Sequence, residues 1–472
     1  MRQTLRLCAP LLASLAFAPA AFGGVVDPGL ASTASGSAST APLPVIVYGR
    51  DLGDGSALPG LSGPRSLDAH SLSGTVTAGA LAALARAPGV LFVAPDEAIA
   101  SLAAGAPAGP VAAGSPVDTV DGATTAWSRG YTGAGIGIAI VDSGAGRNND
   151  LDGRLVATLG GYDQYGHGTI VSSVAAGRSA DNRFVGVAPG ANVIGVNVAG
   201  AGQPRASDVI RGLLWVLANR DHYGIRVVNL SLAETAPSSY LMDGLDATIE
   251  QLWRSGIVVV VAAGNGGPGA IDYAPANDPF AVAVGGGDTR GTLETADDAL
   301  ASFSACGTTV DGFAKPDVVA PGRLVAGFLP WPSTLARQAP DANWLVPHRY
   351  ATISGTSFAA PQVAGAAAVL LQEHPAWTPD QVKWVLAATT RPLAGSDAGA
   401  LDLAAATAYS EDPPPANAGV VPSTVGLDSW LDALAGADLL GVSHQNTWTV
   451  SHQNTWTQST WTQSTWTAEG WG

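Results

Sequence analysis

The sequence predicts an α/β protein: a doubly wound, mostly parallel sheet with helices on both faces, preceded by a small α+β unit. Three observations carry this expectation. Five short runs, "IGIAIVD" (136–142), "NVIGVNVA" (192–199), "IRVVNLSL" (225–232), "IVVVVAAGN" (257–265) and "FAVAVGG" (280–286), are apolar almost throughout. Strands buried on both faces of a parallel sheet read in this way. Stretches with helical spacing and a polar face, "SDVIRGLLWVLANRDH" and "SYLMDGLDATIEQLWRSG", lie between them, and such alternation builds doubly wound sheets. Upstream, "PVIVYG", "SLSGTVT", "ALAALARAPG" and "VLFVAPDE" read as strand, strand, short helix, strand.

Taken from the N-terminus, Arg2 and Arg6 precede the apolar run Leu7–Phe17, and the small residues "APAAFGG" follow. This is the pattern of a secretory signal peptide, placed over residues 1–23, so the protein is expected to be secreted and extracellular. Cys8 falls inside this leader, leaving Cys306 alone in the mature chain with no intramolecular disulfide. A secreted chain of this kind is held by its core or by bound ions. Cys306 itself reads as a small buried hydrophobe. Residues 25–43 are rich in Ser, Ala, Thr and Pro and are expected to be loose. The α+β unit and its linker "SLAAGAPAGPVAAGSP" fill 24–110, and the large α/β domain 111–410.

Near 378–389, Thr378, Pro379 and Gln381 form a capping box with Pro at the first helical position. Residues 411–472 hold a Pro-rich linker and a low-complexity tail, and Pro413–Pro415 is expected to decouple that tail from the large domain. In the tail Trp456, Trp461, Trp466 and Trp471 recur every five residues, a period that fits neither a helix face nor a strand face. Tryptophans so spaced suit weak multivalent contact with a cell surface. The net charge of −16 with only 13% charged residues argues against nucleic acid and anionic lipid as partners. The buried-type run Val363–Leu371 is too short for a transmembrane segment.

Chemistry is suggested where an α/β domain gathers its sites, at the carboxyl ends of strands. Asp142 ends "IGIAIVD"; His167 opens a small-residue helix in "YGHGTIVSSVAAG"; Ser357 opens the apolar helix in "SGTSFAAPQVAGAAAVLLQ"; Asn265 follows the strand "VVVVAAGN" in a Gly-rich turn. Each has a structural reading of its own, as a cap, a core histidine or a turn residue. Pro361, tolerated in a first helical turn, fits a capped central helix equally well. Their joint placement favours a Ser–His–Asp set, in which His takes the serine proton and the carboxylate fixes the His tautomer.

With "AIVDSG", "GHGT", "VVNLSL", "AAGN", "KPDVVAPG" and "GTSFAAPQVAG" in this order, the chain resembles the subtilisin-like serine peptidases, the subtilases, over about residues 45–410. The resemblance implies a secreted serine endopeptidase acting through an acyl-enzyme, with Asp142, His167 and Ser357 as catalytic residues and Asn265 in the oxyanion hole. It implies a substrate cleft lined by Ser231, Leu232, Ala233, Ala262, Ala263 and Gly264, and protein or peptide substrates. It makes the unit before residue 110 a propeptide that inhibits the enzyme and aids its folding before self-processing. No cofactor is required for the chemistry; the family allows structural calcium, for which the sequence shows no recognisable ligand set. The α/β-hydrolase alternative fails on motif order, since its histidine follows the serine. The rival of an inactive, scaffold-type relative is disfavoured by the complete triad. The chain departs from the family pattern at Gln362, where His is usual, at Ala233, where Gly is usual, and at 323–350, read as a lengthened surface loop.

Overall fold

The computed structural model describes residues 24–101, 121–146, 148–200, 203–339 and 343–423. The expected leader, nearly all of the linker and the Trp-bearing tail lie outside the described residues.

The N-terminal unit is a five-stranded sheet of order β1-β5-β2-β4-β3, built from β1 (Val25–Val26), β2 (Pro42–Gly49), β3 (Ser62–Ser66), β4 (Ser71–Thr77) and β5 (Val90–Pro95). Strand β2 is apolar throughout because its two faces serve two cores. Val45 and Val47 pack with Leu72, Leu84 and Val93 inside the unit. Ile46 and Tyr48, one residue out of phase, join the core of the large domain. Residues 25–43 are not loose. Helix α1 (Pro28–Gly36) stands there, with Pro28 in the first turn and the Asp27 carboxylate accepting from Leu30 N at 2.9 Å. Its one buried side chain, Leu30, closes the unit's core. The short helix α2 (Leu81–Ala85) sits where the sequence places it.

After α3 (Ala123–Ser128), the main sheet runs β8-β9-β7-β10-β12-β13. Its strands are β7 (Gly137–Asp142), β8 (Leu155–Leu159), β9 (Asn192–Asn197), β10 (Ile225–Leu230), β12 (Val258–Ala262) and β13 (Val282–Asp288). All neighbours in this run pair in parallel. Beyond β13 lie the parallel β17 (Val318–Pro321) and the antiparallel β14 (Ala299–Leu300). The strands are buried on both faces, as their composition requires. Helices α4 (His167–Ala176) and α8 (Thr356–Glu373) cover one face; α5 (Ala206–Tyr223) and α6 (Gly244–Arg254) cover the other. The capping box at Thr378 opens α9 (Pro379–Ala388), and α10 (Leu403–Ala406) follows.

The strand read as 225–232 is broken. It stops at Leu230, and after Ser231 a separate three-residue strand, β11 (Leu232–Glu234), leaves the main sheet. Strand β11 pairs antiparallel with β6 (Ile99–Ser101), the last described stretch of the N-terminal unit. Segment 323–350 is likewise more than a loop. It folds, together with β20, as the antiparallel sheet β18-β20-β19, from β18 (Val325–Phe328), β19 (Trp344–Val346) and β20 (Tyr350–Ile353), with α7 (Thr334–Gln338) between. Phe184 stacks on Tyr350, and the Tyr350 hydroxyl donates to Asp150 Oδ2 at 2.7 Å, which ties this sheet to the main domain. The small ribbon of β15 (Gly307–Thr308) and β16 (Ala314–Lys315) completes the described strands. Cys306, expected in the core, is only half-buried beside it.

Residues 411–423 do not decouple after the prolines. Asn417 N donates to Asp380 Oδ1, the Tyr240 hydroxyl donates to Val421 O at 2.6 Å, and Ser423 N donates to the buried carboxylate of Glu250. The extended strap thus supplies groups that buried side chains need. A chain ended at residue 412 is therefore expected to lose about 1–3 kcal/mol of stability, the cost of leaving such partners unsatisfied. A chain ended at 423 is expected to unfold at the wild-type temperature. Thermal unfolding of the two truncations checks this.

Candidate active site

Helix α8 begins at Thr356, so Pro361 is its sixth residue rather than part of its first turn. Proline has no N–H, which leaves the carbonyl four residues earlier without its helical partner. That carbonyl belongs to Ser357. The Ser231 hydroxyl donates to it at 2.9 Å, and Asn229 Nδ2 donates in turn to Ser231 Oγ at 2.9 Å. The Ser357 hydroxyl donates back to Ser231 O at 3.2 Å. Ser231 and Ser357 are therefore joined twice, across the break between β10 and β11.

Asp142 closes β7 and His167 opens α4, and both are buried. His167 Nδ1 lies 2.8 and 2.9 Å from the two carboxylate oxygens of Asp142. Facing both oxygens of an acceptor, Nδ1 carries the proton, and Nε2 is then the basic nitrogen. Nε2 is buried and without a hydrogen-bond partner. The ring lies 5.3 Å from that of Phe358, the residue after Ser357. Nothing but a glycine fits after the histidine: a Cβ on Gly168 would come within 2.0 Å of Gly144 O and 3.1 Å of Asp142 Cβ. Helix α8 also approaches α4 closely at Gly365, where a Cβ would meet Ala175 O at 3.0 Å and Val187 Cβ at 2.8 Å.

Asn265 stands in the turn after β12. Its Oδ1 accepts from Thr356 N at 2.9 Å and from Thr356 Oγ1 at 3.0 Å, which fixes the amide with its nitrogen on the opposite side. Thr356 Oγ1 also accepts from Gly264 N at 3.2 Å. Leu232 and Ala233 are buried beneath the paired strand β6, opposite Ser101 and Ala100. Ala262 and Ala263 are buried at the end of β12, and Gly264 follows at a φ of 112°. Gln362 is fully buried in α8; its Nε2 donates to Pro321 O at 2.6 Å and to Phe358 O at 2.5 Å. It thus packs the helix rather than touching His167 or Asp142.

Three supporting residues carry no signal in the sequence alone: Asp163, Asn229 and Thr356. Asp163 stands four residues before His167 and binds Ser143, Gly166 and Thr169. Its partners come from separate segments, so only the fold shows them together. Among the described residues no group of three or more His, Cys, Asp or Glu is arranged to hold a metal ion. None of their helices is long and apolar enough to cross a membrane.

Comparison with known proteins identifies the family of this chain. The family described as "Subtilase family" (Peptidase_S8) matches residues 133–412, more than half of the chain. The chain belongs to the subtilase family. Serine protease AprX of Bacillus subtilis (strain 168) is 36% identical over 271 residues, covering 54% of this chain and 61% of that protein. Subtilisin Savinase of Lederbergia lenta is 34% identical over 281 residues, covering 58% of this chain and 90% of that protein. The chain thus spans less than two thirds of AprX but most of Savinase. Among solved structures, fervidolysin from Fervidobacterium pennivorans, described as a keratinolytic enzyme related to subtilisin, superposes with a TM-score of 0.61 at 22% identity. The match covers 83% of this chain and 63% of that one, and shows the shared fold. The matched domain is a subtilase-type serine endopeptidase domain, with the doubly wound α/β architecture of that family.

Because no side chain fits at position 168, Gly168→Ala is expected to force the Asp142 turn and the start of α4 apart. The expected cost is about 1–3 kcal/mol, the range for overpacking a tight site. Thermal unfolding measures it, and a crystal structure of the variant should show the His167–Asp142 contact lengthened.

Proposed function

We propose that this protein is a secreted serine endopeptidase, made with residues 24–110 as an inhibitory propeptide and linker, that releases itself by cleaving its own chain. The observation that carries this reading is the buried Asp142–His167 pair, its imidazole packed on Phe358, the residue after Ser357 at the start of α8. His167 Nε2 accepts the Ser357 proton as Oγ attacks the carbonyl carbon of the scissile bond, and Asp142 stabilises the resulting imidazolium. With the site at rest, Ser357 Oγ donates to Ser231 O, so the serine turns about Cα–Cβ to hand its proton to Nε2; such contacts tighten in the substrate complex. The imidazolium then protonates the leaving amine, and water repeats the cycle on the acyl-enzyme. The amide nitrogen side of Asn265, oriented by Thr356, donates to the developing oxyanion. Placement of Ser357 in the first turn of an 18-residue helix adds the positive end of the helix dipole.

Strand β6 supports the inhibitory role. Ile99–Ser101 adds to β11 as a peptide adds to a sheet edge, with Leu232↔Ser101, Ala233↔Ala100 and Glu234↔Ile99 in register. A substrate strand lying in this register and extended by one residue reaches Ser231, whose carbonyl oxygen is 3.2 Å from Ser357 Oγ. Further contacts hold the N-terminal unit in place. The Asp96 carboxylate accepts from Ser207 N and Oγ at the start of α5, and Ile99 N donates to Pro204 O. The cleft walls Leu232, Ala233, Ala262, Ala263 and Gly264 are small or apolar and uncharged, which suits large apolar substrate side chains. The Trp-repeat tail is read as a surface-contact segment that adds avidity.

Ser357→Ala is expected to abolish labelling by a fluorophosphonate and to leave the full-length precursor unprocessed. The check is gel electrophoresis of protein made in a protease-deficient host, where a mature-length Ser357→Ala product would count against self-processing. Asn265→Ala is expected to fold, mature slowly and lose roughly 10²–10³ in kcat on a soluble peptide, the loss known for removing this kind of oxyanion donor in subtilisin. A drop of less than about tenfold in steady-state kinetics would assign the oxyanion to other donors.

A further inference from the structure

We propose that Asp163 is a positioning residue for the Asp142–His167 pair, acting by holding the one hydroxyl proton of Ser143 away from Asp142. This deepens the reading of the site as a serine-peptidase triad and rests on it.

The Asp163 carboxylate is 8% exposed and accepts four hydrogen bonds. On Oδ1 it receives Ser143 Oγ at 2.8 Å and Gly166 N at 2.7 Å. On Oδ2 it receives Thr169 N at 2.8 Å and Thr169 Oγ1 at 2.6 Å. Capping explains part of this set, since an acid ahead of a helix accepts from its first N–H groups. It does not explain Ser143, which lies 20 residues earlier and directly follows Asp142.

Ser143 Oγ sits between two carboxylates, 2.8 Å from Asp163 Oδ1 and 3.2 Å from Asp142 Oδ1. A serine hydroxyl has a single proton to donate, and it goes to the nearer oxygen. The same hydroxyl accepts from Gly168 N at 3.0 Å, which joins the turn after β7 to the first turn of α4. Asp142 Oδ1 already accepts from Ser143 N at 2.7 Å and faces His167 Nδ1 at 2.8 Å. A further donor on that oxygen would draw charge from the bond that supports the imidazolium. By engaging the Ser143 proton, Asp163 leaves Asp142 to His167, and its own negative charge favours the imidazolium as well.

The other groups around His167 do not compete for this role. Tyr165, on the same loop, has its ring 6.4 Å away, and burial pushes its phenol further above neutrality. Helix α8 presents Ser357 and Phe358, and the inserted segment places Leu329 and Ser333 against Gly166. Strand β18, packed on α4, carries no charged side chain. The charged side chains in this set are Asp142 and Asp163.

The test compares full-length-expressed, self-matured wild type with Asp163→Asn, Ser143→Ala and the double variant, each normalised to sites titrated by a fluorophosphonate. Asp163→Asn is expected to lower kcat by about 10–100-fold, the scale of a slight misplacement of catalytic groups. KM on a soluble peptide should stay within about twofold, because no contact to substrate is removed. The acid limb of the kcat/KM profile should move to lower pH, because the imidazolium is less well supported. In the Ser143→Ala background the same substitution should move that limb by less than half as much, since the proton in contention is gone. A lower melting temperature with unchanged kcat and acid limb would overturn the proposal, as would equal shifts with and without Ser143. If Asp163→Asn does not fold, Ser143→Ala decides: with its proton already spent on Asp163, losing the hydroxyl should leave the acid limb in place, whereas a shift of that limb to higher pH would show the proton resting on Asp142 and overturn the proposal. Failure of the wild type itself to label would instead remove the triad reading on which this one rests.

Discussion

A proline in the second turn of a helix buried from Thr356 to Leu371 is the constraint around which this molecule is arranged. Pro361 strips the Ser357 carbonyl of its helical partner in a place that water does not reach. A bare buried carbonyl costs too much to leave alone, and the Ser231 hydroxyl fills the gap. To bring Ser231 there, the parallel strand ends at Leu230 and the chain turns out of the sheet. That exit creates β11, a short edge with backbone groups free to take another strand. The strand break and the short edge are thus tied to one missing N–H.

The second requirement is close approach. Ala and Gly dominate α8, so the helix can lie against the sheet and α4 with backbone nearly in contact, as at Gly365. Tight packing there holds Ser357 in place, as native-like density demands. Charge at the end of the sheet is handled by pairing. The Asp317 carboxylate takes both Lys315 Nζ at 2.8 Å and Lys383 Nζ at 2.9 Å, and the ammonium groups spend their other donors on backbone carbonyls. The "KPD" run is therefore a bridge between the end of the sheet and α9, and truncating either lysine would leave a buried ion short of a partner.

Much of this is legible because the decisive signals are local. An apolar run ending in Asp142, a Gly-flanked His167 and a Gly-rich turn at Asn265 each mark a strand end or a helix start, and the parallel sheet follows from the runs themselves. The features that the sequence hides depend on partners far along the chain. Helix α1 has a single buried apolar residue, Leu30, so no periodicity announces it; its Asp27–Pro28 cap is the available sign. Asp163 looks like a loop acid, because its partners Ser143 and Thr169 become neighbours only in the fold. The strap at 411–423 has no hydrophobic pattern at all: it is held through Tyr240, Asp380 and Glu250, and a proline-rich composition conceals that. Pro361 reads as an early-helix residue because its place in α8 depends on where the helix starts, which Gly355 and Thr356 settle.

In the function proposed above, the edge strand β11 reads main chain before it reads side chains. A polypeptide can be gripped there only if several consecutive residues are extended and have their own N–H and C=O groups unspent. Residues inside a native helix or sheet have neither property. A peptidase working through such an edge sees folded proteins through their openings, and its rate of cutting at a given bond is scaled by the fraction of time that segment spends detached from its own structure. Selection among proteins is then set as much by the local stability of the target as by the residues that flank the cut.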